Sequence, residues 1–554
     1  MKRSFVTFAV CLLCGILVSV PVSQAKSKSK KQPEQAQVKN VIVLIPDGCA
    51  PSVLSASRWY QMYQDNSQQN LQIDPYLCGM VKTHSSNAPI GDSAPTTSTY
   101  MTGQRTRTKY ISMYPEQDPV NDIFPTDSAR AFQPLATLLE GSRILQNKAT
   151  GLVVTCYFPH ATPADCAAHY YNRSAYQLLA RQVVYNNVDV VIGGGTSYLD
   201  DELRGYLKSR GVALYEDDWA GLRSAQADRV WGLFAPKDMP YDADRDPQKV
   251  PSLAEMTSKA IETLSRSENG FFLMVEGSKV DYAAHANDVF GIITEYLAFD
   301  KAVGVAMDFA RKDGQTLVVV VPDHCTGGLA LGKLNSGYDV LPLSRLISPL
   351  LGYKHTVAWM KDALNSAPAD SIVPILQRAS GLQITEADVQ RVYRSSDYSS
   401  SPLERRERTD LALDRVVSEI LTAKTYFAFT SHGHVGDDVF LAAYHPAGKL
   451  PMGLHTGPEL HAYIAEQVGL KDRLAPLTAS IFARHQDVFA DLECEITDER
   501  AGKMVVKSDK HTMEIQGECS YVMLDGQRKP LESVIVYVDR NKTFYLPQEL
   551  RKMM

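Results

Sequence analysis

Short runs of β-branched and aliphatic residues at 40–45, 151–155, 188–192, 271–275 and 316–321 alternate along this chain with stretches of helical periodicity. Runs with so little polar alternation predict strands buried on both faces, as in a parallel sheet covered by helices. The punctuation agrees, because Asp47-Gly48, Gly193-Gly194-Gly195 and Asp323-His324 each stand just after such a run. The pattern predicts an α/β fold: three-layer α/β/α with a large, mostly parallel central sheet. In open sheets of this kind ligands collect at the carboxyl ends of the strands, so chemistry is expected in those loops.

The rhythm breaks between Asp323 and Thr430, where amphipathic helical patterns run over 372–379, 386–393 and 411–421. An inserted helical cap is expected there, bounded at 329–429, and its charged stretch at 404–408 reads as a solvated helix face. Near the end the pattern changes again, to short strand-like runs at 503–506, 512–515, 519–524, 533–538 and 543–546, with Asp525-Gly526 as a hairpin turn. These predict a small β-rich C-terminal appendage over 487–554 and leave 38–486 as the main domain.

At the other end Lys2 and Arg3 precede an apolar run, 5–22, that closes on Ser23-Gln24-Ala25. That is the form of a secretory signal peptide with a small-x-small cleavage site. A membrane helix is the plain alternative, since the run is about long enough to span a bilayer. Lipidation at Cys14 is the minor one, because Leu13 stands where a lipoprotein signal wants something small. Residues 1–25 are read as the signal, and the Lys-, Ser- and Gln-rich segment 26–37 as a flexible tether that cannot bury enough surface to order itself. Export to the periplasm or beyond is expected, with no membrane span left after signal removal.

With 554 residues, 44% of them hydrophobic, the chain can fill one large core plus accessories. A formal net charge of -6 argues against general nucleic-acid binding. Outside the signal stand Cys49, Cys78, Cys156, Cys166, Cys325, Cys494 and Cys519, an odd set. An oxidising compartment permits disulfides, and Cys156 with Cys166 or Cys494 with Cys519 are close enough in sequence to be candidates. No Cys-x-x-Cys spacing follows the signal, which weakens a thiolate zinc site or a redox dithiol as the function.

Asp47 directly follows a predicted strand, yet alone it reads as readily as a turn or cap residue as a metal ligand. The run Gly91-Asp92-Ser93-Ala94-Pro95-Thr96-Thr97-Ser98-Thr99 is rich in hydroxyls and small residues, and it predicts a helix start. The simplest role for a hydroxyl there is an N-cap. Free N–H groups at a helix start also receive anions, so a serine there could attack phosphorus once a base or metal activates it. Later clusters favour metal: Glu276 ends a predicted strand, and Asp281 and His285 follow at a spacing that puts both on one helix face. Asp323-His324 follows another strand, and His434 sits in Ser431-His432-Gly433-His434-Val435-Gly436-Asp437. Each alone reads more simply as a surface ion pair or a hydrogen-bonded histidine. Donors at several separate strand ends are hard to ascribe to chance.

As a set, from 38 to about 484, these motifs resemble the alkaline phosphatase family. Asp92-Ser93-Ala94, with its hydroxyl-rich tail and Thr102-Gly103 stop, is similar to that family's nucleophile segment. The resemblance implies Ser93 as the residue that becomes phosphorylated and Asp92 as the partner orienting the phosphate-binding arginine. His160-Ala161-Thr162-Pro163-Ala164, followed by His169 and Arg173, resembles the third-site threonine segment and the arginine whose planar fork clamps two phosphoryl oxygens. Residue by residue, the resemblance implies Asp281, His285 and His434 as the first zinc site. It implies Asp47, Asp323 and His324 as the second, with Ser93 as exchangeable ligand, and Asp47, Thr162 and Glu276 as a third site. Two Zn2+ and one Mg2+ are the implied cofactors. Two positions flanking the third site depart from the best-known bacterial pattern, His160 where aspartate is common and Tyr282 where lysine is common; an imidazole there removes a negative charge. The implied activity is hydrolysis of small-molecule phosphate monoesters through a phosphoserine, releasing inorganic phosphate, in a chain that is often a homodimer in this family.

A phosphodiesterase of the same superfamily is the alternative. It would need room for a second ester group and less of an arginine clamp or third metal, so Thr162, Arg173 and Glu276 favour monoesters. A sulfatase would carry Cys/Ser-x-Pro-x-Arg, whereas Ser93-Ala94-Pro95 runs into threonines. A binding protein that keeps the scaffold without turnover is countered by the intact Ser93 and Arg173.

Overall fold

The computed structural model describes residues 38–333, 336–401 and 408–554. The signal-like segment with Cys14, the tether, and the charged run at 404–408 except its last residue lie outside the described residues. Ten strands build the central sheet: β1 (Asn40–Pro46), β2 (Leu77–Lys82), β3 (Ala149–Tyr157), β4 (Val190–Gly194), β5 (Ala213–Glu216), β6 (Val230–Leu233), β7 (Phe271–Gly277), β8 (Thr316–Val320), β9 (Val439–Tyr444) and β10 (Gly453–Thr456). Their order across the sheet is β10-β2-β9-β8-β1-β7-β3-β4-β6-β5. Neighbours pair in parallel except at β9, which runs against both β8 and β2.

β1 lies between β8 and β7, and every residue of it is buried. Its sequence has no polar face to offer water, so it needs cover on both sides, and each fully buried aliphatic side chain there contributes roughly 1.5–3 kcal/mol. Helices Pro51–Gln64, Leu253–Leu264 and Val289–Asp313 form one cover. The longest of them begins where Asp288 accepts the Gly291 N–H at 3.0 Å and ends at Gly314, φ +70°. Helices Ser93–Thr102, Leu138–Gln146, Ala161–Ala167 and Tyr176–Tyr185 form a second group, packed together and against β3 and β7.

The five apolar runs of the sequence are β1, β3, β4, β7 and β8. The other five strands widen the sheet at its two flanks. In the cap region, helices Val357–Asn365, Ile372–Ser380, Glu386–Tyr393 and Leu413–Ala423 close on a core of their own that includes Met360, Leu364, Leu376 and Val417. The C-terminal region holds a five-stranded antiparallel sheet from Glu493–Asp498 to Gln527–Pro530. Beside it, Thr543–Leu546 pairs with both Val536–Val538 and Ala483–Arg484, a ladder that reaches across the expected boundary at 486. Neither candidate disulfide forms, and all seven described cysteines are free. The Cys156 thiol faces Glu276, and that of Cys166 faces Thr162 O within its own helix. Cys494 is exposed while Cys519 is buried.

Candidate active site

Asp47 follows the last residue of β1 and is fully buried. The turn after it depends on Gly48 at φ +67°: a Cβ there would lie 2.5 Å from Asp281 Oδ1, and the Gly48 N–H donates to Asp323 Oδ1 at 3.1 Å. Just beyond β8 come Asp323 and His324, also fully buried. His324 Nε2 lies 3.3 Å from Asp47 Oδ1 and 3.5 Å from Asp323 Oδ2. Asp47, Asp323 and His324 form an inner donor group whose ligand atoms lie within 4.8 Å of one another.

An outer group, Asp281, His285 and His434, meets the same limit. β7 leads into the helix Lys279–His285, whose turn puts Asp281 and His285 on one face, His285 Nε2 3.4 Å from Asp281 Oδ2. His434 arrives from far along the chain in the two-residue strand His434–Val435, which pairs antiparallel with Cys325–Thr326. This ladder stacks His434 on His324, ring centroids 3.8 Å apart. His285 Nδ1 meets His432 O at 2.5 Å, and His434 Nδ1 meets Gly91 O at 2.9 Å. With each Nδ1–H donated to a carbonyl, both rings turn an Nε2 lone pair inward, and the two Nε2 atoms face each other at 3.2 Å. Two lone pairs aimed at one point repel unless a cation lies between them.

Ser93 opens the helix Ser93–Thr102, which Gly103 ends at φ +75°. Its Oγ lies 3.2 Å from His324 Nε2, at the inner group. Asp92 holds the extended N-cap position but makes no side-chain cap bond; its carboxylate is committed to Arg173, whose Nη1 donates to Oδ1. Arg173 Nη2 meets His160 Nε2 at 3.1 Å, and the Lys109 N–H donates to Asp92 Oδ2 at 3.3 Å. The guanidinium is thus gripped on two sides.

Glu276, near the end of β7, accepts from the Cys156 thiol at 3.4 Å. Thr162 sits in the helix Ala161–Ala167, with His160 at its N-cap. Tyr282 donates to Asp238 Oδ1 at 3.1 Å and meets the His160 ring edge to face at 6.0 Å. His169 is packed elsewhere, between Glu140 Oε1 and Ser112 O, each at 3.0 Å.

Several donor atoms here are buried without a hydrogen bond: both Asp47 oxygens, Asp323 Oδ2, Glu276 Oε1, Thr162 Oγ1 and His160 Nδ1. Unpaired buried carboxylates are strongly unfavourable. Burial, then Asp323, Asp281 and Glu276, push the Asp47 carboxyl well above the usual range. Burial, then Asp323, lift Glu276 to about 7. His160 falls to about 3 through burial and then Arg173. At Asp92 burial works upward, but Arg173, His324 and His434 more than offset it and hold the carboxyl low. Carboxylate and imidazole donors of this sort suit zinc, and an oxygen-rich corner with a hydroxyl suits a harder ion. The residues present therefore fit divalent cations.

One cleft thus brings together Asp47, Asp92, Ser93, Arg173, Asp281, His285, Asp323, His324 and His434, with Thr162, Glu276 and His160 toward β3 and Tyr282 beside His160. A cavity of about 490 Å³ borders its outer side, lined by Tyr282, His285 and His432 and by Lys361 and Arg415 of the cap. Two residues the motifs do not single out take part. Thr326 donates to Asp281 Oδ1 at 2.6 Å and meets His324 Nδ1 at 3.2 Å, tying outer group to inner; its signal was a hydroxyl two residues after His324. Cys156 carries no local signal, because the pairing of β3 with β7, Val154 opposite Glu276, brings it in.

Comparison with known proteins gives a consistent picture. The family model for alkaline phosphatase matches residues 38–470. The chain is 31% identical over 448 residues to alkaline phosphatase 3 of Bacillus subtilis (strain 168), covering 78% of this chain and 89% of the relative. It is 27% identical over 458 residues to the alkaline phosphatase of Schizosaccharomyces pombe, covering 77% and 81%. Among solved structures, the cold-active alkaline phosphatase of a psychrophilic Shewanella sp. superposes with TM-score 0.66 at 25% identity, over 77% of this chain and 99% of that one. The Thermus thermophilus alkaline phosphatase shares the fold with TM-score 0.68 at 22% identity, over 83% and 99%.

Proposed function

The chain belongs to the alkaline phosphatase family of phosphomonoesterases, and from that premise we propose that it cleaves phosphate monoesters through a phosphoserine at Ser93, with zinc-class ions in the inner and outer donor groups and a third ion held by Asp47, Thr162 and Glu276. The observation that carries this reading is the Ser93 hydroxyl, 3.2 Å from His324 Nε2 and beside an arginine gripped by Asp92 and His160. The partnerless oxygens of Asp47, Thr162, Glu276 and Asp323 support the metal assignment.

Divalent cations bound by these donors would neutralise the monoester dianion, favour the Ser93 alkoxide and stabilise the departing alcohol. The chain's own residues do the positioning. Asp92 and His160 hold the Arg173 fork so that its free N–H groups can take two phosphoryl oxygens, and the helix start at Ser93 offers backbone N–H groups to the same anion. Ser93 Oγ attacks phosphorus in line with the alcohol, forming the P–O bond of a phosphoserine as the ester bond breaks. Water then attacks that phosphorus, inorganic phosphate leaves, and the Ser93 hydroxyl is restored. The alcohol departs on the side of the outer group, toward the cavity bordered by His285 and His432. Residues 1–25 are read as an export signal; among the described residues no helix is long and apolar enough to cross a membrane.

Turnover of an aryl phosphate, its bis-aryl diester and an aryl sulfate, each with and without chelator, tests the reading. The monoester should be cleaved fastest by orders of magnitude, and chelation should abolish its cleavage. Faster diester or sulfate cleavage, or indifference to chelator, would overturn it.

A further inference from the structure

Cys156 lies in β3, fully buried, with Sγ 3.4 Å from Glu276 Oε2. Glu276 closes the parallel β3–β7 ladder opposite Val154, and Cys156, two residues farther along β3, is held by its own N–H donating to Ser278 Oγ at 3.1 Å. His160 completes a third group: the ligand atoms of Cys156, His160 and Glu276 lie within 4.8 Å of one another. The group is unsatisfied on its own, since Glu276 Oε1, His160 Nδ1 and the neighbouring Thr162 Oγ1 are all buried without partners. A sulfur and a carboxylate oxygen bound to one zinc at ordinary lengths and a tetrahedral angle stand about 3.5 Å apart. The separation seen already matches that edge.

We propose that Cys156, with His160, joins Asp47, Thr162 and Glu276 as a ligand of the third ion, and that its thiolate turns this otherwise oxygen-rich corner to a zinc-class ion rather than magnesium. The proposal rests on the metal-centred reading given above. Magnesium demands near-octahedral oxygen coordination and keeps several waters, whereas a thiolate selects softer ions such as zinc or cobalt. Without the ion the thiol keeps its proton and donates to Glu276. On coordination that proton leaves to solvent as the sulfur–metal bond forms, with no change of oxidation state.

Full-length protein stripped with chelator and reloaded with cobalt(II) gives a direct readout, because thiolate-bound cobalt absorbs strongly in the near ultraviolet through sulfur-to-metal charge transfer. The band should appear in the wild type and vanish in Cys156→Ser, which keeps the side-chain size; Cys156→Ala should behave alike. Dialysed against zinc with excess magnesium, the wild type should keep three zinc per chain, and Cys156→Ser two zinc and one magnesium. Absence of the band in cobalt-loaded wild type, or its persistence in Cys156→Ser, overturns the proposal. A wild type that takes up no cobalt overturns it too, and does so through the underlying metal-centred reading, so the two failures are told apart.

Discussion

The inner and outer donor groups use the same residue types, but the inner one is buried throughout while the histidines of the outer one reach toward solvent. Asp47, Asp323 and His324 are fully buried beyond the ends of two central strands, whereas His285 of the outer group has a side chain 40% exposed and stands on a helix of seven residues. Register in a buried parallel sheet admits no slippage, so the sheet itself holds the inner donors in place. The outer donors depend on a few local contacts, chiefly His285 Nδ1 to His432 O, Thr326 to Asp281, and the two-residue ladder under His434. Strand ends thus hold the group that meets Ser93, while a short helix and a two-residue ladder hold the group that faces the cavity.

If that division is right, disturbing the two groups has unequal consequences. Asp47→Asn removes charge from the inner group beside Ser93 and should lower kcat by at least about 10³-fold; a loss of tenfold or less in steady-state assays would break the comparison. His285→Ala should cost about 10²-fold, partly restored by added zinc, since a solvent-facing site refills more readily. Thr326→Val removes the hydroxyl that bridges the groups and should weaken metal affinity about 10- to 100-fold, read by competition with a chromophoric chelator. Weakening of one ion alone would show that the bridge is not shared.

The smallest effect on turnover is expected far from both groups. Glu518 of the appendage is buried against Gln182 and accepts the Tyr537 N–H at 3.2 Å, and burial lifts its carboxyl from 4.5 to about 8. An acid whose folded pKa is raised stabilises the fold below its unfolded value and loses that contribution as pH climbs through the folded one. Melting temperature should therefore decline between pH 4.5 and about 8. Glu518→Gln should flatten this decline in calorimetry and leave turnover unchanged; an identical slope in the variant would exclude Glu518 as the source.

What the sequence displayed and what it hid follow the same division. β1, β7 and β8 are unbroken apolar runs, so both they and the acids that follow them were legible. β2 was not, because it lies second from the sheet edge, exposes Leu77 and Met80 and fully buries only Val81, so it lacks the β-branched run that marks a strand covered on both faces. β9 is apolar, but its antiparallel direction comes from partners far away in sequence. The Asp281 and His285 spacing announced a shared helix face, whereas the stacking of His434 on His324 depends on a ladder closed across more than a hundred residues. Cys156 was legible only as a disulfide candidate, since its neighbour Glu276 is set by sheet register and not by spacing.

Mass spectrometry of protein acid-quenched during turnover of a phosphate monoester tests the central claim most directly. Metal-loaded protein should carry phosphate on the Ser93 peptide, and chelated protein and Ser93→Ala should not. Steady turnover with Ser93 unmodified, or equal labelling after chelation, would contradict the account.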